Sequence, residues 1–201
     1  MGKEIVMVGF FEETAELCKK CDYSIVGYTD VEIRTDRYDY LGTDESFIKE
    51  GNYKNTAVVI VPADPVARKK LFSMYESAGY EIEIVIAPTA MVSESAVIGT
   101  GSILADGCHV STDASIGKCV RIGPLTNVMH DVEVGDFSIV SPSAVLLGAA
   151  KLGEGVYIGG NATILPGKTI AAGSMVGAGS VVTKNVSGGT VAGNPARILK
   201  K

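Results

Sequence analysis

The stretch Asn127–Asp136, NVMHDVEVGD, sets His130 and Asp131 side by side in a run otherwise rich in Val, Ile, Gly and Ala. Imidazole ordinarily titrates near neutrality, so it can offer a lone pair before a reaction and hold a proton after it. A neighbouring carboxylate can fix the ring in one orientation. Adjacent side chains on a straight strand leave opposite faces, so the two can meet only where the chain turns a corner. The other histidine, His109 in DGCHVST, reads as a solvated side chain. Two imidazoles are too few for a three-histidine zinc centre. Cys18 and Cys21 form a lone CxxC, with Cys108 and Cys119 far off in sequence. The four cysteines therefore read as reduced thiols, with no metal site.

The elements that must carry His130 are announced by a six-residue period. A Val, Ile or Leu stands at every sixth position from Val92 to Val182, without interruption. Gly often follows it (Gly99, Gly117, Gly135, Gly153), and the fourth residue after it is often small (Ala96, Ser102, Ala114, Ser138). This is a hexapeptide repeat. The period suits a chain that turns a corner after each short strand and sends one aliphatic residue inward per face. Three hexads would close one triangular coil, and His130, third in the hexad begun by Val128, would fall near a corner.

Before the repeat, apolar strands alternate with helical patterns. EIVMVGF (4–10) and YSIVGYTD (23–30) read as strands flanking a helix over ETAELCKK (13–20). Residues 31–55 read as irregular. A strand over 56–61, a helix over 64–79 opened by Pro65 and stopped by Gly79, and a last strand over 82–86 follow. This predicts a small Rossmann-like parallel sheet over residues 1–87, a β-helix over 88–187 and a tail over 188–201.

Composition narrows the function classes. The net charge of −5 leaves no basic face for nucleic acid or an anionic membrane. The apolar run Ile5–Phe11 is too short to span a bilayer and lacks a signal-peptide cleavage site, so a cytoplasmic protein with no membrane insertion is expected.

The repeat, the MHD triplet at Met129–Asp131 and the ending LPGKTIAAGSMVGAGSVVTKNVSGGTVAGNPARILKK resemble the hexapeptide-repeat acyltransferases. With the leading Rossmann-like domain, the whole chain is similar to the sugar O- and N-acetyltransferases related to the bacillosamine and sialic acid enzymes. The resemblance implies a left-handed parallel β-helix, acetyl-CoA as co-substrate, a homotrimer and a sugar or nucleotide-sugar acceptor acylated on an amine or hydroxyl by direct transfer. It implies His130 as general base with Asp131 beside it, Gly148 at the thioester, Gly160 and Ala178 along the pantetheine arm, and Lys184 and Arg197 at the CoA phosphates. Gly9 and Asp30 are the substrate-binding candidates of the first domain.

The chain departs from the family at three places. Asp131 replaces a usual Glu, and Ile139 replaces a histidine near the cofactor. The Gly-rich turn after the first strand keeps only Gly9, followed by Phe10, Phe11, Glu12 and Glu13, and Pro62-Ala63 stands where a second family glycine would lie. Two alternatives accompany this reading: a non-catalytic hexapeptide-repeat scaffold, and an amino-acid-type acyltransferase of the same fold. The first domain could also serve mainly to cover the open end of the β-helix.

Overall fold

The computed structural model describes residues 2–199. The chain opens with β1 (Glu4–Val8), α1 (Glu12–Lys20), β2 (Ser24–Thr29), α2 (Asp44–Glu50), β3 (Ala57–Ile60) and α3 (Pro65–Ser77). The three strands form a parallel sheet in the order β2-β1-β3. All of β3 and Ile5–Val8 of β1 are buried, as their unbroken apolar runs require of a sheet covered on both sides. In α3, Asp64 caps the helix by accepting from Ala67 N at 2.8 Å, Pro65 occupies the first turn, and Gly79 follows in the left-handed region at φ +80°.

Two expectations need correction here. Residues 31–55 are not wholly irregular, because α2 lies within them: Thr43 caps its start by accepting from Ser46 N, and Gly51 ends it at φ 65°. The expected last strand is split. Ile82 bridges only Val58, whereas Val85–Ile86 pair with Ile103–Leu104 and so form the first rung of the next unit.

That unit is a triangular stack of two-residue parallel strands. The first face carries Val85–Ile86, Ile103–Leu104, Arg121–Ile122, Ile139–Val140, Tyr157–Ile158 and Met175–Val176. The second face runs from Met91–Val92 through Asn127–Val128 to Val181–Val182, and the third from Val97–Ile98 through Glu133–Val134 to Thr169–Ile170. Up to Thr163–Ile164, each strand of the stack pairs with the one eighteen residues on, such as Asn127 with Val145 and Glu133 with Lys151. The second residue of each rung points inward, and Val110, Ile122, Val128, Val140, Leu146, Ile158 and Ile164 are fully buried in one column. Full burial of such a side chain is worth roughly 1.5–3 kcal/mol before chain entropy is subtracted. The tail adds Thr190–Ala192 to the first face, with Arg197–Ile198 antiparallel to it.

The first domain packs on the flank of the stack, not over its end. Phe72 of α3 meets Phe137 edge-on at 5.6 Å, and Val85 and Ile103 share a core cluster with Ile5, Met7 and Val59. Of the opening coil's inward residues, Ile86 is exposed and Val92 and Ile98 are only half-buried, so the first domain does not cover that end.

Candidate active site

His130 and Asp131 lie on the corner between the second and third faces. Asp131 takes φ 58°, and the same left-handed step recurs at Asp113 (57°) and Ala149 (57°) in the adjoining coils. This step swings the carboxylate back, and His130 Nδ1 lies 2.8 Å from Asp131 Oδ2. The corner is pinned from both sides, since Asp131 N donates to Thr112 O at 3.1 Å and Ala149 N donates to His130 O at 2.9 Å. The two side chains are 59% and 61% exposed. A pair so open to water adds little stability, and its effect is to set the ring. With the carboxylate accepting from Nδ1–H, the lone pair sits on Nε2.

Gly148 stacks directly on this histidine, one coil further on. A Cβ there would lie 2.6 Å from both Cε1 and Nε2 of the ring, so the imidazole occupies the space that a side chain would fill. The Gly148 N–H has no backbone acceptor among the described residues. A lone pair and an unspent N–H thus border one open corner, the arrangement needed to take a proton while charge develops on a nearby oxygen.

The remaining candidates divide. Lys184 and Arg197 line a single cleft with Val186, Val191 and Ala196 at the far end of the stack. Gly160 and Ala178 belong to the corner between the first and second faces, where Gly179 N donates to Gly160 O at 2.8 Å. One copy of the chain therefore does not bring Gly160 and Ala178 beside His130. Ile139 is buried on the first face, and His109 is half-buried on the second.

At the carboxyl ends of β1, β2 and β3, Gly9, Phe11, Asp30, Pro62, Ala63 and Arg121 line a cleft of about 270 Å³, the place where open parallel sheets bind ligands. Gly9 and Asp30 thus come together as the sequence suggested, but Asp30 is already engaged. Its carboxylate accepts from Phe10 N at 3.2 Å and Val31 N at 2.7 Å and pairs with Arg34 at 3.3 Å. Arg121 was not among the sequence candidates. The signal was available: it is the one charged outward residue in the row Val85, Ile103, Arg121, Ile139, Tyr157, Met175. Among the described residues, no group of three or more His, Cys, Asp or Glu is placed to hold a metal ion.

A family model described as bacterial transferase hexapeptide (six repeats) matches residues 113–148 and 149–184. GDP-perosamine N-acetyltransferase of Escherichia coli O157:H7 is 31% identical over 188 residues, which cover 90% of this chain and 84% of that protein. The crystal structure of PerB from Caulobacter crescentus, in complex with CoA and GDP-perosamine, superposes with a TM-score of 0.92 at 25% identity, covering 100% of this chain and 98% of that one. The acetyltransferase domain of PglB from Neisseria gonorrhoeae gives a TM-score of 0.91 at 24% identity, covering 98% of this chain and all of that one, a likeness of fold. The chain belongs to the hexapeptide-repeat sugar acetyltransferases of the left-handed β-helix type, and it is an acyltransferase.

Proposed function

We propose that the protein transfers an acetyl group from acetyl-CoA to an amine or hydroxyl of a sugar-like acceptor, with His130 as general base. The observation that carries this reading is the imidazole held over bare Gly148, with Asp131 on Nδ1. The acceptor N–H or O–H gives its proton to His130 Nε2 as its heavy atom attacks the acyl carbon. The Gly148 N–H stabilises the charge that gathers on the thioester oxygen, the carbon–sulfur bond breaks, and the proton held on His130 passes to the departing sulfur, which leaves as CoA thiol. Direct transfer is favoured because the neighbours of His130 include no cysteine or serine placed as a nucleophile.

Lys184 and Arg197 sit together in a cleft suited to the phosphates of CoA. The separation of Gly160 and Ala178 from His130 supports a homotrimer in which neighbouring copies complete each site. A cytoplasmic location fits four free cysteines.

The test is thiol release from acetyl-CoA across a panel of amino sugars, neutral sugars and nucleotide sugars. Turnover with at least one amino sugar or sugar hydroxyl is the expected result. No turnover with any acceptor, together with no acetyl-CoA binding by calorimetry, would overturn the reading.

A further inference from the structure

The seam between the two domains holds two guanidinium groups, and among the described residues no carboxylate forms an ion pair with either. Arg68 is fully buried and donates only to carbonyls: Cys119 O at 2.6 Å, Ile60 O at 2.9 Å, Pro62 O at 3.0 Å and Gly101 O at 3.3 Å. Arg121 reaches the opposite way, from the β-helix into the first domain, and its Nη1 donates to Val61 O at 3.2 Å and Thr14 Oγ1 at 3.3 Å. Its Nε and Nη2, the edge that grips oxyanions in parallel, have no partner among the described residues. Desolvation is the main cause that lowers the Arg68 pKa; Cys119 opposes it, and the charge of Arg121 adds to the lowering, so the two guanidinium groups sense one another. Arginine stays charged through such shifts, so Arg121 brings positive charge to the floor of the cleft, partly offset through space by Glu13, with the Arg68 charge buried behind it.

The turn above that floor is unsuited to a diphosphate. Phe10 N–H, one of the donors a phosphate would use, is taken by Asp30, and α1 opens with Glu12 and Glu13. A Cβ at Gly9 would lie 3.1 Å from the Pro62 ring, so Pro62 crowds the turn on one side. What remains is apolar, with the half-exposed Phe11 ring 5.8 Å from the Arg121 guanidinium carbon.

We propose that this cleft selects the acceptor through one phosphomonoester held on Arg121, with the sugar ring against Phe11, in place of a nucleoside diphosphate on the turn. The proposal rests on the acetyltransferase reading above. The free Nε–Nη2 edge of Arg121, with the Arg68 charge buried behind it, suits the near-double charge of a phosphomonoester at neutral pH better than the single charge of a carboxylate.

The test is a titration of the full ¹⁵N-labelled chain, following arginine Nε–H and backbone amide resonances. The probes are inorganic phosphate, glucose 1-phosphate, glucuronate and UDP. Saturable shifts at Arg121 Nε–H with phosphate and glucose 1-phosphate are expected, with glucuronate and UDP each binding no tighter than glucose 1-phosphate. Arg121→Gln should weaken both phosphate probes at least tenfold. Phe11→Ala, a change at an exposed side chain that the fold tolerates, should weaken glucose 1-phosphate about threefold to fivefold and leave inorganic phosphate within twofold.

The proposal is overturned by no saturable shift at Arg121, by tighter binding of UDP or of glucuronate than of glucose 1-phosphate, or by unchanged glucose 1-phosphate affinity in Phe11→Ala. That last arm decides the matter if Arg121→Gln does not fold. Acetyl-CoA is titrated into the same samples. Its failure to bind with phosphate binding intact contradicts the acetyltransferase reading, and the converse contradicts only the phosphomonoester site.

Discussion

His130 and Asp131 are adjacent in sequence, yet their side chains meet only because Asp131 adopts φ 58° at the corner. Asn tolerates the left-handed region as Asp does, so Asp131→Asn changes the charge and leaves the turn. Steady-state kinetics should show kcat reduced threefold to tenfold with the KM for acetyl-CoA unchanged, because a contact this exposed orients the ring more than it stabilises charge. Gly148→Ala makes a sharper case. The backbone φ at Gly148 is not in the left-handed region, so alanine is not strained there, but its Cβ would fall 2.6 Å from the imidazole. Activity should drop on the order of 100-fold, as misplacement of a base does, while Tm stays within a few degrees; an unchanged rate would show that the ring position is immaterial. The histidine, its acid and the small residue facing it were legible in the sequence. Arg121 was marked only as a charge in an otherwise uncharged outward row, and its role comes from Val61, Thr14 and Phe11, residues more than fifty positions away.

At the scale of elements, the six-residue period announced the rungs because each inward slot meets the slots of neighbouring coils at a fixed eighteen-residue step. Leu146, fully buried between Val128 and Ile164, tests that column, and Leu146→Ala should cost about 2–5 kcal/mol in denaturant unfolding. The corner glycines have a different reason. A Cβ at Gly135 would lie 2.5 Å from the Gly153 backbone, and backbone cannot step aside without separating two coils. Gly135→Ala should therefore lower stability by about 1–3 kcal/mol, in contrast to Gly148→Ala, whose cost falls on the histidine. The helix α2 was missed although Thr43 and Gly51 mark its two ends, since seven residues amid charged neighbours present too little apolar face to stand out. The strand expected over 82–86 failed for the opposite reason, as its apolar run continues across the junction and serves two sheets in turn.

For the whole molecule, the docking of the first domain on the flank of the stack was beyond sequence reading, because it rests on contacts made across the seam, Arg68 to Cys119 O and Phe72 to Phe137. That packing also buries Cys119. Burial pushes the Cys108 thiol up to about 11 and the Cys18 thiol up to about 12, whereas an unfolded thiol ionises near ~8.5. The folded chain keeps protons that the unfolded chain releases, so this contribution is complete below that pH and is lost as pH rises through 11 to 12. Tm should decline steadily from pH 9 to pH 11, and the native chain at pH 8 should react with a thiol reagent at Cys21 alone, the half-buried cysteine; a flat profile would contradict the account. The central claim, that His130 is the base of an acetyltransferase, is tested most directly by comparing thiol release from acetyl-CoA in the unaltered chain and in His130→Ala, with acetyl-CoA affinity measured on both. The account predicts a fall in kcat of about 10²–10⁴-fold with acetyl-CoA affinity retained. A variant that turns over within a fewfold of the unaltered chain would contradict it.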